Sequence, residues 1–284
     1  MAKIGLYRDP TDGAWYIPSG AAPSTHIVKA GSESFPHETL NEAVCLETAR
    51  LCGFDVVDFE LMDVGGGQPL FAARRYDRDI PELPRMISGL PAPVRLHQED
   101  FGQALRVPTQ YKYEPTDGRY LEKAVGCASS CAEPFGESML VMQCVLFGYL
   151  VGNADDHLKN FALLYGHGLS SPTVAPLYDV VSTAAYENVF SEMGVSFGGS
   201  RRFDDVSRAG IEAVAARTGL PVSLVMGEFD ELAESVPTAL DAAARCFASE
   251  GFSDAEYVAE TIKTGVESRR SFERVPAPFL KPNR

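Results

Sequence analysis

The chain has 284 residues, enough for one large domain or for two lobes that each bury a core. Its formal charge of −14 repels phosphate backbones, so direct nucleic-acid binding is not expected, whereas a basic protein partner would be attracted. No stretch approaches the roughly eighteen consecutive apolar residues of a membrane helix, and Met1 to Asp9 lacks the apolar region of a signal peptide. The reading is a cytoplasmic protein with no membrane segment.

In chain order, residues 3–8 and 14–17 read as two short strands, joined by turn chemistry at Pro10-Thr11-Asp12-Gly13. Residues 25–29 read as a third strand. From His37 to Leu51 the period becomes helical, with Leu40, Val44, Leu46 and Leu51 recurring, until Cys52-Gly53 stops it. Residues 56–64 form a fourth strand, Gly65-Gly66-Gly67 a turn, and residues 70–76 a fifth strand. This order describes a small antiparallel lobe with one packed helix. Residues 78–95, rich in Pro and Arg, read as a connector.

Beyond the connector the pattern is mainly helical. Residues 135–151 are so densely apolar that they read as a buried helix at the centre of a second core. Residues 161–165 read as a strand, Gly166-His167-Gly168 as a turn, and residues 174–178 as a short returning strand. Residues 205–270 read as three amphipathic helices broken at Gly219-Leu220-Pro221 and Gly251-Phe252-Ser253. The Pro-rich end from Val275 to Arg284 reads as frayed. Of the six cysteines, Cys45, Cys52 and Cys144 read as small core residues. Cys127 and Cys131 have no second pair of ligands nearby that would make a zinc site, and the set suits a reducing compartment.

One loop carries the chemistry. Asp155 and Asn160 have the spacing Asp-x-x-x-x-Asn, which in phosphoryl transfer places a carboxylate for the attacking hydroxyl and an amide for magnesium. Alone, this spacing arises by chance about once in a chain so rich in Asp, and a polar loop with an Asx turn explains it equally. Its context raises it: the loop follows a buried helix and precedes a hairpin ending in a second carboxylate, Asp179. The small lobe offers a further pair. Lys29 ends an apolar strand, and Glu42 lies one turn into the next helix, as required of a phosphate lysine held by a helix glutamate. On spacing alone, a surface lysine and a solvated glutamate remain open.

Four segments resemble the HipA-like serine/threonine kinases of bacterial toxin–antitoxin modules. They are Trp15 to Gly20 with Pro23 to Lys29; Asn41-Glu42; Arg95 to Phe101 with Gln103 and Tyr111-Lys112-Tyr113-Glu114; and Gly152 to Asn160 followed by Ala175-Pro176-Leu177-Tyr178-Asp179. The match runs over most of residues 3–182. It implies an α+β, two-lobed protein-kinase-like fold, with residues 1–77 as a β-rich N-lobe and residues 78–284 as a helical C-lobe. It also implies the use of ATP and magnesium. On this resemblance Asp155 is the catalytic base, and Lys159 neutralises the transferred phosphoryl group. Asn160 and Asp179 hold magnesium, and Lys29, partnered by Glu42, contacts the ATP phosphates. His157 belongs to the nucleotide-binding set as the side chain that orients the loop. The backbone of residues 74–76 forms the hinge to adenine, with Arg75 and Tyr76 at the pocket.

The resemblance further implies a protein substrate, aminoacyl-tRNA synthetases being the family's known substrate class. A HipB-like antitoxin is the implied partner. Two departures stand out. Arg74 occupies a hinge position where the family commonly has Glu. The family's Gly-Gln loop over the phosphates should be ending where this sequence begins, so a short form without that loop and without the N-terminal subdomain is expected. Gly65-Gly66-Gly67 lies on the wrong side of Lys29 to replace the loop. Two other readings follow. One is a HipA-like pseudokinase that binds nucleotide or antitoxin without transfer. The other is a metal-dependent phosphohydrolase built on Asp155, Asp156 and His157, for which His26, His37, His97 and His167 supply no obvious further ligands.

Overall fold

Five strands from the first 74 residues form one antiparallel sheet: β1 (Ala2–Arg8), β2 (Trp15–Tyr16), β3 (His26–Ala30), β4 (Phe59–Met62) and β5 (Leu70–Arg74), in the spatial order β2-β1-β3-β5-β4. The computed structural model describes residues 1–65, 67–116, 118–187, 189, 192–273 and 278–282. The β1–β2 turn is fixed by its acidic residue: the Asp9 backbone exchanges bonds with Ala14 and Gly13, and its carboxylate accepts from the Thr11 amide at 2.8 Å. In the β1–β3 register Lys3 stands directly opposite Lys29, which brings two lysines onto one face.

Helix α1 (Glu38–Leu51) follows β3, and ten of its fourteen residues are buried. A surface helix would leave one face wet, so burial this complete means partners on opposite sides. One side packs on β4 and β5; the other packs on the C-terminal helices α6 (Val222–Ser249) and α7 (Ala255–Ser271). The helix expected to belong to a small lobe is therefore shared. A single apolar cluster runs from Leu40 and Val44 through Phe147 to Phe229 and Val258.

Several expected boundaries shift. The fourth strand is limited to residues 59–62, because Val56 pairs instead with Leu177 in a parallel bridge and Val57 donates to the Leu177 carbonyl at 3.1 Å. The stretch expected as a connector contains four short strands, β6 (Arg78–Asp79), β7 (Arg85–Ile87), β8 (Leu90–Ala92) and β9 (Val94–Arg95), paired β6–β9 and β7–β8. Strand β10 (Gln98–Asp100) leads into the short helix α2 (Phe101–Ala104), closed by a capping box between Asp100 and Gln103. Gly66, at the centre of the expected glycine turn, lies outside the described residues.

Helix α3 (Tyr120–Ala128) precedes α4 (Pro134–Val151). Pro134 opens α4 and Gly152 closes it at φ +81°, a conformation that suits glycine. By length and composition α4 alone, among the described residues, could cross a membrane. Here it is buried in the core among α3, α6 and α7. Strand β11 (Ala162–Leu164) pairs with β10 and with β12 (Thr173–Val174), so the returning strand is shorter than expected. Helix α5 (Arg208–Thr218) begins the C-terminal helical group. Of the Pro-rich end, expected to fray, residues 274–277 and 283–284 lie outside the described residues. The rest is docked, with Leu280 buried and its amide donating to the Ala185 carbonyl at 2.8 Å. The result is an α+β fold: an antiparallel sheet and one helix set on a mainly helical body.

Candidate active site

Lys29 comes from the centre of the sheet and Glu42 from the first turns of α1. The lysine Nζ lies 2.5 Å from Glu42 Oε1 and 2.6 Å from Asp179 Oδ1. Lys3, its strand partner, reaches Asp179 Oδ2 at 3.2 Å. Lys29 is 5 % exposed and Glu42 1 %, so this is a desolvated pair, stable only because the charges meet. Burial pulls the lysine pKa down, but Glu42 and Asp179 outweigh it and the net shift is upward, so the ammonium stays charged. Burial pushes Glu42 up to about 7 against the pull of Lys29. Burial also acts to raise Asp179, yet Lys29 and Lys3 prevail and hold it at about 2. Asp179 itself has φ +59°, a left-handed conformation that Asp tolerates better than most residues.

The loop after α4 is held from three sides. The Ala154 amide donates to Thr183 Oγ1 at 2.7 Å, the Gly194 amide donates to the Ala154 carbonyl at 2.9 Å, and Asn160 Nδ2 donates to the Asp155 carbonyl at 2.9 Å. Asp155 keeps its carboxylate 42 % exposed, and Oδ1 accepts from the Tyr113 hydroxyl at 2.5 Å. His157 is buried, with Nε2 2.8 Å from the Lys112 ammonium and its ring edge-on to Tyr113 at 5.3 Å. Burial lowers its pKa, Asp155 opposes and Lys112 adds to the fall, so the ring is neutral and accepts from the lysine. Lys159 Nζ lies 2.6 Å from Asp100 Oδ2 at the mouth of the cleft. Asp156 turns inward against Gly148, and burial together with the Asp155 charge raises it to about 8. Asp156 is thus turned inward while Asp155 Oδ1 and His157 Nε2 lie 3.9 Å apart, and among the described residues no group of three or more His, Cys, Asp or Glu side chains could hold a metal.

The cleft between sheet and loop has a volume of about 230 Å³. Ile27, Val57, Ala73 and Tyr178 form apolar walls, and Lys3, Lys29 and Lys159 supply cations. Tyr76 lines it, stacked on Tyr178 at 5.5 Å and bonded to Gln98 at 3.0 Å. The hinge amides divide. Arg74 N–H donates to Asp58 and Arg75 N–H to Thr25, while the Arg75 guanidinium is held by both oxygens of Asp77 at 3.0 Å. The Tyr76 and Asp77 amides have no backbone acceptor among the described residues. Of the expected site residues, Lys29, Glu42, Asp179, Lys159, Arg75 and Tyr76 line this cleft. Asp155, His157 and Asn160 lie in the adjoining loop.

Several residues that shape the site were given no role from sequence, although Asn41 and Tyr113 lie in segments that carry the resemblance. Asn41 exchanges two bonds with Ser182, receiving its amide at 2.9 Å and donating to its carbonyl at 3.1 Å, which ties α1 to the chain just beyond Asp179. Arg269 on α7 donates to the Leu150 carbonyl at 2.8 Å, where a buried cation meets the negative end of α4. Lys3 had a signal in strand pairing, and Tyr113 had one in the Tyr111–Glu114 segment. Arg269 had none, because its contact spans 119 residues.

A family model described as the HipA-like C-terminal domain matches residues 2–240. The protein Y4mE of Sinorhizobium fredii is 32 % identical over 81 % of this chain and 52 % of its own length. The serine/threonine-protein kinase toxin HipA of Shewanella oneidensis is 26 % identical over 84 % of this chain and 54 % of its own. The chain therefore spans about half the length of these curated relatives. In fold it is similar to the HipA chain of a solved Shewanella oneidensis complex of HipA, HipB and operator DNA, with TM-score 0.79 and 23 % identity over 95 % of this chain and 63 % of that one. It is also similar in fold to the Helicobacter pylori proinflammatory kinase CtkA, with TM-score 0.55 and 12 % identity over 87 % of each chain. On the extent of the family match, the chain belongs to the HipA-like C-terminal domain family.

Proposed function

We propose that the chain is an ATP-dependent serine/threonine protein kinase acting as the toxin of a toxin–antitoxin pair, with residues 1–77 and 78–284 as the lobes flanking the nucleotide. The observation that carries this reading is the Lys29 ammonium held between Glu42 and Asp179 at the floor of the cleft. In this reading Lys29 and Lys3 meet phosphate oxygens. The apolar walls suit a purine ring, and the Tyr76 and Asp77 amides suit its polar edge. Asn160 uses its Nδ2 on the Asp155 carbonyl, which leaves Oδ1 as an acceptor, and Asp179 contributes a carboxylate to the cleft. Two hard oxygen donors of this kind fit magnesium. When bound, magnesium supplies charge neutralisation on the phosphates.

In this reading Asp155 orients a serine or threonine hydroxyl of the acceptor protein and takes its proton as the oxygen bonds to the γ-phosphorus. The bond to the bridging oxygen of ADP breaks as that bond forms. Lys159, tied to Asp100, stands at the cleft mouth as a cation for the moving phosphoryl group, and neutral His157 fixes the loop through Lys112 and Tyr113. An aminoacyl-tRNA synthetase is the proposed acceptor and a HipB-like antitoxin the proposed partner, a basic surface of which would suit the charge of −14. The proposed setting is the cytoplasm.

Purified protein with γ-labelled ATP tests this. Asp155→Ala and Asp179→Ala should each abolish label transfer to protein while keeping the wild-type circular dichroism; retained transfer in either variant would sink the assignment. A second reading, nucleotide binding without transfer, is favoured by Tyr113 already occupying one oxygen of Asp155. ATP binding with no incorporation into the chain or a lysate protein would select it.

A further inference from the structure

A second cleft, of about 530 Å³, shares no lining residue with the nucleotide cleft and is walled by residues of the segments 114–116, 119–122 and 192–205 with Arg217. It runs against the character of the chain: the protein is strongly acidic, yet four arginines, Arg119, Arg201, Arg202 and Arg217, meet here. Two are neutralised in place, Arg217 by Glu122 at 2.7 Å and Arg201 by Glu192 at 3.1 Å. Arg119 and Arg202 are exposed and have no partner among the described residues, and the Arg201 Nε is buried with no acceptor. Among the described residues of the lining, Asp205 is the one acidic side chain left against them.

The wall is built rather than incidental. Glu114 is buried and uses both carboxylate oxygens on Ser196, from its amide at 2.7 Å and its hydroxyl at 3.0 Å. Gly198 and Gly199, at φ +62° and +94°, make a two-residue turn closed by paired bonds between Phe197 and Ser200, and this turn presents Arg201 and Arg202. The wall is also tied to the catalytic loop. The Glu114 amide donates to the Gly194 carbonyl and the Gly194 amide to the Ala154 carbonyl, both at 2.9 Å, and Glu114 directly follows Tyr113.

We infer that this cleft binds a phosphorylated side chain carried on a protein segment, Arg119 and Arg202 gripping the phosphate. A carboxylate is satisfied by a single guanidinium fork. Two uncommitted guanidinia instead match a dianion with three acceptor oxygens. That the segment belongs to the protein acceptor rests on the kinase reading; the anion site itself does not.

The test is therefore a binding measurement that needs no catalysis. A Gly-phosphoserine-Gly peptide, its unphosphorylated and glutamate forms, and inorganic phosphate are titrated into the purified chain by calorimetry. The expected result is saturable binding of the phosphopeptide, at least tenfold weaker binding of the glutamate form and of inorganic phosphate, and none of the unphosphorylated peptide. Arg119→Gln/Arg202→Gln should weaken the phosphopeptide at least tenfold with an unchanged melting temperature. Lys29→Met/Glu42→Gln, which removes both charges of the buried pair in the nucleotide cleft, should leave it within twofold. Absence of saturable binding, equal affinity in the arginine variant, loss in the Lys29/Glu42 variant, or inorganic phosphate or the glutamate peptide binding as tightly as the phosphopeptide would each overturn the inference.

Discussion

The Tyr113 hydroxyl donates to Asp155 Oδ1 at 2.5 Å, while Lys112, the preceding residue, donates to His157 two positions beyond that aspartate. Two adjacent residues of one segment thus fix the proposed base and the histidine that orients its loop, and one oxygen of Asp155 stays accessible. Tyr113→Phe removes a hydrogen bond to a charged group, worth about 1.5–3 kcal/mol. Steady-state phosphotransfer should lose about tenfold in kcat, with KM for ATP unchanged because Tyr113 does not line the nucleotide cleft. A rise in kcat would instead identify the tyrosine as an obstacle to the acceptor.

Removing one member of the buried pair should cost more than removing both. Lys29→Met strands Glu42 beside Asp179, and breaking a buried pair in this way costs about 3–5 kcal/mol. Urea unfolding should show that loss, and Lys29→Met/Glu42→Gln should recover most of it. Equal stabilities of the single and double variants would contradict the desolvated geometry.

Asp156 makes the native state a proton binder. Its pKa is raised from 3.8 to about 8, so between those values the folded chain holds a proton that the unfolded chain has released. Stability must therefore fall as pH rises across this window and level off above it. Asp156→Asn should gain stability over wild type at pH 8 and much less at pH 5, read by denaturant midpoints. Asp179 acts with the opposite sign: held at about 2, it stabilises the fold above the ordinary carboxylate range and loses that contribution as pH falls from about 4 towards 2.

Gly152→Ala should destabilise by about 2 kcal/mol. The position has φ +81° and an added Cβ would lie 2.7 Å from the Ala184 Cβ and 2.9 Å from the Arg269 guanidinium. Differential scanning calorimetry should register a lower melting temperature; an unchanged one would mean that the Arg269 contact yields freely.

The chemistry-bearing residues were legible wherever a local pattern carried them. Lys29 closes an apolar strand, Glu42 sits early in a periodic helix, and Asp155 and Asn160 keep their spacing in one loop. Helix α4 was legible because it is apolar all round, and α5 to α7 because glycine and proline punctuate them. What escaped depends on register or on distance along the chain. Lys3 joins Asp179 only through antiparallel pairing with Lys29, and Tyr113 meets Asp155 across 42 residues. Arg75 was assigned to the nucleotide from its place in the hinge. Its amide and guanidinium are both used internally, by Thr25 and Asp77, which leaves only its position at the cleft wall. The short hairpins at residues 78–95 escaped because Pro and Arg mask a strand period.

Helix α1 is enclosed by the sheet on one side and by α6 and α7 on the other. Swinging it outward would expose Leu40, Val44 and Leu46, each of which costs about 1.5–3 kcal/mol to bring into water. It would also break the Asn41 clamp on Ser182. Withdrawing Glu42 from Lys29 by a movement of this helix would therefore carry the cost of opening the core that encloses it. For the proposed kinase, this packing favours control at the cleft itself, by what is admitted to it or by what covers it.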